Sequence, residues 1–169
     1  QQGKDTGGVG VALAAGVFTA HGVAQPEDLV LHRRVACDQP RDLPRGAAAR
    51  GAALVAFPEL AFTPFFPCSP CNGPPPLELA EPVPGPTTAA FARLAAELGT
   101  VIVLNLYERE GDRAFDSSPV IDADGRLLGT TRMLHVAQMP HFYEQEYYTP
   151  GDHGMPVYET SAGRIGVAI

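Results

Sequence analysis

A glutamate that directly follows an apolar run is the first side chain in this sequence that could do chemistry. Residues 51–60 read GAALVAFPEL, so Pro58 and Glu59 come at the end of a continuous apolar stretch. Such a stretch is typical of a strand that is buried on both faces. A carboxylate at its end is costly unless it is paired or used, and desolvation would raise its pKa. Glu59 is therefore either used in chemistry or held in a salt bridge at the strand end.

A second acidic group lies in an aromatic stretch near the C-terminal end of the sequence, FYEQEYYTPGD. Glu144 and Glu146 are two residues apart, so they point to the same side if the segment is extended and to different sides if it is helical. The residues TPGD that follow predict a turn around Pro150 and Gly151. This stretch is either a functional acidic loop or a solvated one.

The cysteines indicate a reducing compartment and give no clear site. Three cysteines are an odd number and too few for a disulfide framework, which favours a cytoplasmic location. Cys68 and Cys71 form a CxxC pair, which could hold zinc or carry redox chemistry. Because no second ligand pair and no βαβ pattern accompanies the pair, we interpret it as two loop cysteines.

Composition and motifs exclude several classes of function. The 169 residues are 45% hydrophobic and 18% charged, which is typical of a globular domain, and the net charge is −7. A surface for nucleic acid needs clustered lysines and arginines, so we expect no nucleic-acid partner. The sequence has no Walker loop, no HExxH and no GxGxxG between a strand and a helix, and its five histidines are dispersed. We therefore expect neither a metal nor a cofactor.

The N-terminal segment permits two interpretations. An apolar run after Lys4, with small residues before Gln25, resembles a signal peptide. The same run, at residues 9–19, also predicts a buried first strand, and it is too short to span a membrane. We favour the strand and expect no membrane association.

The remaining elements alternate between strands and helices. Residues 26–50 should hold a first helix that Pro40 and Pro44 interrupt and Gly51 ends. A Pro-rich loop covers residues 63–86, and the sequence PTTAAFARLAAELG then predicts a helix that Thr87 or Thr88 caps. Strands are predicted at 52–57 and 100–110, a hairpin at 114–134, and two last strands around the turn SAGR. This order predicts an α/β layered fold.

Three separated blocks resemble the nitrilase, or carbon–nitrogen hydrolase, superfamily. They are AARGAALVAFPELAFTPFF, the helix–strand–hairpin region that ends in TTRMLH, and FYEQEYYTPGDHGMPVYETSAGRIGVAI. The stretch HFYEQEYYTPGD is similar to the N-carbamoyl and aliphatic-amidase branches. The resemblance covers residues 47–169 as part of one hydrolase domain, whereas residues 1–46 match poorly.

The resemblance implies a fold and a chemistry. The family fold is a four-layer αββα sandwich, and its members hydrolyse amides, nitriles or N-carbamoyl groups with a Glu–Lys–Cys triad and no cofactor. Glu59 then takes the position of the general base, and Glu144 that of a second, assisting glutamate. The implied substrate is a small amide or carbamoyl compound, and the full-length protein is expected to form a homo-oligomer.

Two departures from the family pattern bear on activity. The family lysine lies two residues before a histidine, and in TRMLH that position holds Met133. The nucleophilic cysteine should follow GRIGVAI directly, but the sequence stops at Ile169. We expect a sandwich that is incomplete at its C-terminus and a truncated chain without turnover. Arg132 and His135 are the nearest replacement donors for an oxyanion or a substrate, or else structural residues. The alternative is a non-catalytic fragment or interaction module.

Overall fold

A computed structural model describes residues 11–13 and 41–169 of the chain. Six strands form the main sheet, two further strands form a hairpin, and two α-helices accompany them. Their bounds are β1 Val11–Leu13, α1 Asp42–Ala48, β2 Leu54–Ala56, α2 Pro86–Leu98, β3 Val101–Val103, β4 Leu106–Glu110, β5 Arg113–Ile121, β6 Leu127–Arg132, β7 Val157–Thr160 and β8 Gly163–Gly166. The predicted strand at 9–19 is described only at 11–13. The signal-peptide alternative, the helix predicted from residue 26 and its interruption at Pro40 lie outside the described residues.

The main sheet mixes parallel and antiparallel pairing. Strands β1, β2 and β3 are parallel neighbours, and β3 then pairs antiparallel with β5. Strand β4 pairs with the first half of β5, and β6 pairs with its second half. The predicted hairpins at 114–134 and around the turn SAGR are both confirmed as β5–β6 and β7–β8.

The prediction of one strand over residues 100–110 is wrong in one respect. Two strands occupy this segment, β3 and β4, with Leu104 and Asn105 between them. Both strands pair with β5, since Val103 lies opposite Val120 and Leu106 lies opposite Ser117. Strand β4 therefore resumes the pairing with β5 after the interruption at Leu104 and Asn105. The side chain of Asn105 is free to make other contacts.

Helix α2 covers one face of the sheet. Its buried residues Phe91, Leu94 and Ala95 pack with Val55 and Ile102 of the strands in one core cluster. The predicted cap at Thr87 or Thr88 is wrong: the N-cap is Gly85. Thr88 instead reaches back from the third helical position, where its Oγ1 accepts from the Gly85 amide at 2.6 Å. The helix ends as predicted at Gly99, whose φ of 61° is left-handed.

Helix α1 contains a proline that was expected to interrupt it. Pro44 is the third residue of the helix, within the first turn, and it is fully buried. The amides of a first helical turn have no partner inside the helix, so a proline there removes no hydrogen bond. The predicted interruption at Pro44 is therefore wrong, whereas the end near Gly51 agrees with the structure.

The opposite face of the sheet is covered by the hairpin and by an aromatic segment. Tyr158 of β7 packs on Val101, Val103 and Val120. Further along the sheet, a second cluster covers the same face with residues from β4, β5, the end of β6 and the segment 143–148. Because side chains alternate along β5, Ala114, Asp116 and Ser118 point to this face, and Phe115 and Ser117 point away from it.

Candidate active site

Glu59 follows the end of β2, where the chain leaves the sheet. The Phe57 amide still donates to the carbonyl of Val103 at 2.9 Å, and the chain then turns at Pro58. Leu60 adopts a φ of 47°, in the left-handed region that leucine rarely occupies. Its amide donates to Oδ1 of Asn105 at 2.5 Å. The interruption between β3 and β4 therefore supplies the side chain that holds the turn carrying Glu59.

Glu59 is exposed, yet protein atoms crowd its carboxyl group. Desolvation raises the pKa of Glu59, its interaction with Asp116 lowers it, and the charge of Glu144 raises it again, with a net upward shift. A raised pKa was the expectation for a carboxylate at the end of this strand. The site therefore gathers three carboxyl groups that interact through space.

Asp116 is the most buried of the three. It has no exposed surface, and its Oδ1 accepts from Nδ2 of Asn105 at 2.5 Å. Its Oδ2 has no hydrogen-bond partner among the described residues. Burial, followed by the charge of Glu59, raises the pKa of Asp116 well above its usual range. Asp116 therefore holds a proton under conditions in which an ordinary aspartate is ionised.

Glu144 begins a single 3₁₀ turn, Glu144–Glu146, and it is buried. Its Oε2 accepts from the Ala137 amide at 2.8 Å. Glu146 points elsewhere, because its Oε2 accepts from the Cys71 amide at 2.5 Å and its Oε1 accepts from Gln138. The helical alternative thus holds for this segment, and only Glu144 reaches the carboxyl cluster.

Met133 and Tyr148 complete the lining of this cluster. Met133 is buried and packs in an apolar cluster with Leu60, Tyr107 and Tyr148. The hydroxyl of Tyr148 is buried and has no hydrogen-bond partner in the part of the chain that the structure describes. Burial raises the pKa of Tyr148, and the charges of Asp116, Glu59 and Glu144 add to that rise. The hydroxyl is therefore a neutral donor beside three acidic groups.

Arg132 belongs to a different network. Its guanidinium donates to Glu108 through Nε at 2.9 Å and through Nη2 at 2.6 Å, and Nη1 donates to Asp152 at 2.7 Å. It also contacts Glu110 at 3.2 Å and lies 3.8 Å from the centroid of the Phe115 ring. The structure therefore brings Arg132 to these residues and not to Glu59.

His135 and the CxxC pair lie apart from these contacts. His135 is exposed. Cys68 and Cys71 are free cysteines in the Pro-rich loop, and the Cys71 thiol donates to the carbonyl of Gly73 at 3.2 Å. Within residues 11–13 and 41–169, no group of three His, Cys, Asp or Glu side chains could hold a metal ion. A contact of Arg132 or His135 with an oxyanion or a substrate remains a prediction.

Three residues of the cluster have no role predicted from the sequence: Asn105, Asp116 and Tyr148. Asp116 could have been found, because it is an acidic residue in the middle of a strand whose neighbours are apolar or small. Asn105 could not, since its contact with Leu60 joins positions 45 residues apart. The centroid of the Tyr148 ring lies 5.6 Å from that of the Tyr107 ring.

The three carboxyl groups can carry protons, and they have no positively charged side chain beside them among the described residues. Glu59 can accept a proton, Asp116 can hold one, and Glu144 adds a buried acceptor. Interacting carboxyl groups such as Glu59 and Asp116, whose pKa values are both raised, are typical of acid–base chemistry.

No helix in the described ranges has the length and apolar character needed to cross a membrane.

Comparisons with known proteins agree on one family. The model of the carbon–nitrogen hydrolase family matches residues 19–169. N-carbamoylputrescine amidase from Solanum lycopersicum is 37% identical over 128 residues, which are 75% of this chain and 42% of that relative. The carbon–nitrogen hydrolase of Helicobacter pylori G27 superposes with a TM-score of 0.67 at 27% identity, over 80% of this chain and 46% of that one.

A more distant structure shows the same fold. An amidase of the nitrilase superfamily from Nesterenkonia AN1 superposes with a TM-score of 0.61 at 19% identity, over 81% of this chain and 49% of that one. The chain thus spans half or less of the length of these relatives, and its α/β arrangement is part of the nitrilase-like fold. Since the family model covers nearly all of the sequence, the chain belongs to the carbon–nitrogen hydrolase family.

Proposed function

We propose that this chain supplies the acid–base part of the active site of a hydrolase that acts on a linear amide or an N-carbamoyl compound. Glu59 is the general base, and Glu144 assists it. The observation that carries this proposal is the convergence of Glu59 and Glu144 at the end of β2, where the charge of Glu144 raises the pKa of Glu59. The N-carbamoylputrescine amidases among the relatives support the substrate class.

In this proposal, Glu59 carries protons between nucleophile, leaving group and water. It takes the proton of a cysteine thiol, and the thiolate attacks the carbonyl carbon. Glu59 then gives that proton to the departing ammonia or amine, which leaves an acyl-enzyme. It next takes a proton from water, whose oxygen attacks the acyl carbon, and the thiolate departs with the proton. A raised pKa suits a group that must both accept and return a proton.

Met133 sets a limit on this chemistry. An oxyanion needs a hydrogen-bond donor or a positive charge, and a thioether supplies neither. The buried hydroxyl of Tyr148 is the neutral donor beside the carboxyl cluster. We expect it to supply the donor that the family's lysine supplies elsewhere.

The first experiment reads the coding sequence downstream of Ile169 in all three frames. If a cysteine block follows in frame, the longer product is assayed for ammonia release from linear amides and N-carbamoyl amines. Glu59→Gln should lower kcat about 10²- to 10⁴-fold, because it removes the base but keeps the shape. Glu146→Gln is the matched control and should leave kcat within about twofold, since a glutamine oxygen can still accept from Cys71.

The 169-residue polypeptide provides the converse test. It should release no ammonia by this mechanism, because none of its three cysteines follows β8. Turnover by these 169 residues that Glu59→Gln abolishes would contradict the proposal.

The second candidate is a non-catalytic fragment or interaction module. The burial of Met133 in an apolar cluster favours it, because the position holds no charge for catalysis. Such a module should self-associate or bind a partner protein. A monodisperse monomer that melts cooperatively would count against it, and sedimentation with thermal melting measures both properties.

A further inference from the structure

We propose that Asp116 is a positioning residue for Glu59: Asn105 fixes its carboxyl group, whose free oxygen shares one proton with the Glu59 carboxylate. This pairing takes over the task of holding the base, which the Met133 side chain cannot perform. The inference rests on the proposed function of Glu59 and adds a residue that the family's triad does not contain.

The geometry starts from Asn105, which connects the two residues. Its Nδ2 donates to Oδ1 of Asp116 at 2.5 Å, and its Oδ1 accepts from the Leu60 amide at 2.5 Å. Leu60 follows Glu59 directly and has a left-handed backbone, a conformation that persists only where surrounding contacts enforce it. A single side chain therefore fixes both the Asp116 carboxyl and the turn that carries Glu59.

The remaining oxygen of Asp116 can form a hydrogen bond with a second carboxylate only if one of the two groups carries a proton. Oδ2 has no partner among the described residues, and Glu59 and Glu144 lie close enough to Asp116 for their charges to raise its pKa. Two ionised carboxylates repel each other, whereas an acid and a carboxylate form a strong hydrogen bond. Asp116 has no exposed surface, whereas Glu59 is exposed, so the neutral, protonated form is favoured on Asp116 and the charge on Glu59. The raised pKa of Asp116 agrees with this assignment.

Which of the two carboxyl groups holds the proton matters for catalysis. A proton held on Asp116 leaves Glu59 ionised and oriented, ready to accept from a nucleophile. The bond from Asp116 lowers the pKa of Glu59 against the larger rise that desolvation causes. Asp116 therefore keeps the base from being protonated permanently in a site that has three acidic groups.

The test is a ¹³C NMR titration of the Glu59 and Asp116 carboxyl carbons in the 169-residue chain. In the unmodified chain, Glu59 should ionise first, Asp116 should ionise at higher pH, and Glu59 should show a second inflection when it does. Independent single-step titrations of the two groups would overturn the proposal. So would an Asp116 that ionises before Glu59.

Two substitutions separate a proton donor from a structural residue. Asp116→Asn keeps an acceptor for Asn105 and an N–H donor for Glu59, so Glu59 should titrate in one step near its first midpoint. Asp116→Ala removes the donor, and the Glu59 midpoint should rise by about one pH unit relative to the Asn variant. The exposed Asp112→Asn is the matched control and should change nothing. Equal Glu59 midpoints in the Asn and Ala variants would contradict the proposal.

The outcomes are distinct from those of the proposed function. If Asp116→Ala does not fold, the titrations of the unmodified chain and of Asp116→Asn still decide the inference. Coupled titration together with an active Glu59→Gln variant in the longer product would reject Glu59 as the base and leave the shared proton standing. Uncoupled titration with an inactive Glu59→Gln variant would reject Asp116 alone.

Discussion

The two faces of the β4–β5–β6 sheet differ in whether a positively charged side chain binds their acidic residues. On one face, Arg132 binds Glu108, Glu110 and Asp152, and Ser117 donates to Glu108 at 2.5 Å. Here a buried guanidinium compensates every carboxylate it contacts. Side-chain alternation separates the two arrangements, since Arg132 and Met133 are consecutive residues with opposite directions.

On the other face, Glu59, Asp116 and Glu144 come together without a cation among the described residues around them. Met133 and the tyrosines that pack there carry no charge at neutral pH. Uncompensated burial raises the pKa of Asp116 and of Glu59, whereas hydrogen bonds from Arg132 hold the pKa of Glu110 and of Asp152 low. The carboxylates that Arg132 binds therefore stabilise the fold. The carboxyl groups without a nearby cation can instead hold and release protons.

The largest predicted effect is that of replacing Arg132. Arg132→Met would leave Glu108 buried and unpaired, which should lower the free energy of unfolding by about 3–5 kcal/mol. Arg113→Met is the matched control, because it contacts two of the same acidic residues, Glu110 and Asp152, from an exposed position. It should cost less than about 1 kcal/mol. Urea denaturation followed by circular dichroism measures both, and equal losses would show that the burial of Arg132 is not decisive.

The second prediction concerns a positive charge introduced on the face that carries Asp116 and lacks a cation among the described residues. Met133→Lys places an ammonium among three acidic groups, so the pKa values of Glu59 and Asp116 should fall. Although a lone buried lysine is costly, we expect a loss of only about 1–2 kcal/mol at neutral pH relative to Met133→Leu. Thermal and urea unfolding at several pH values measure the difference. If the lysine reaches the carboxyl groups, the loss should shrink as they ionise; a loss that does not shrink would mean that it does not reach them.

The third prediction concerns pH. Glu59 and Asp116 have raised pKa values in the folded state, so their contribution to stability is complete below about pH 4 and is lost as pH rises through the folded values. Glu110 and Asp152 have lowered values, so their contribution is present above about pH 4 and is lost as pH falls. The midpoint of urea denaturation should therefore decline on both sides of an optimum. Asp116→Asn should flatten only the alkaline limb, and Glu110→Gln only the acid limb.

The elements that position the site could be predicted from the sequence. Continuous apolar residues indicated β2, and the periodicity of residues 86–98 indicated α2. Turn residues indicated both hairpins. In each case the information lies within about 20 residues, where local periodicity and turn chemistry decide the structure. Glu59 and Glu144 entered through the resemblance to the family, and the structure brings them together.

The rest of the site depends on contacts between distant segments. Arg132 was considered as a donor because it lies next to Met133 in sequence, yet alternation along a strand sends neighbours to opposite faces. Pro44 was expected to interrupt a helix because its place within the first turn is not visible without the helix start. Asn105 was read as part of a strand, and only the fold reveals that its side chain bridges Leu60 and Asp116.

The smallest predicted effect compares two glutamates on one 3₁₀ turn. Glu144 and Glu146 each accept a hydrogen bond from a backbone amide, those of Ala137 and Cys71, which a glutamine oxygen can also accept. Stability should therefore change by less than about 1 kcal/mol in either Gln variant. The two differ in charge placement: Glu144→Gln should lower the pKa of Glu59 by removing a nearby like charge, and Glu146→Gln should not. A ¹³C titration of Glu59 in both variants measures this difference. An equal shift in both would mean that Glu59 responds to the overall charge of the turn, and Glu144 would then have no special place beside the base.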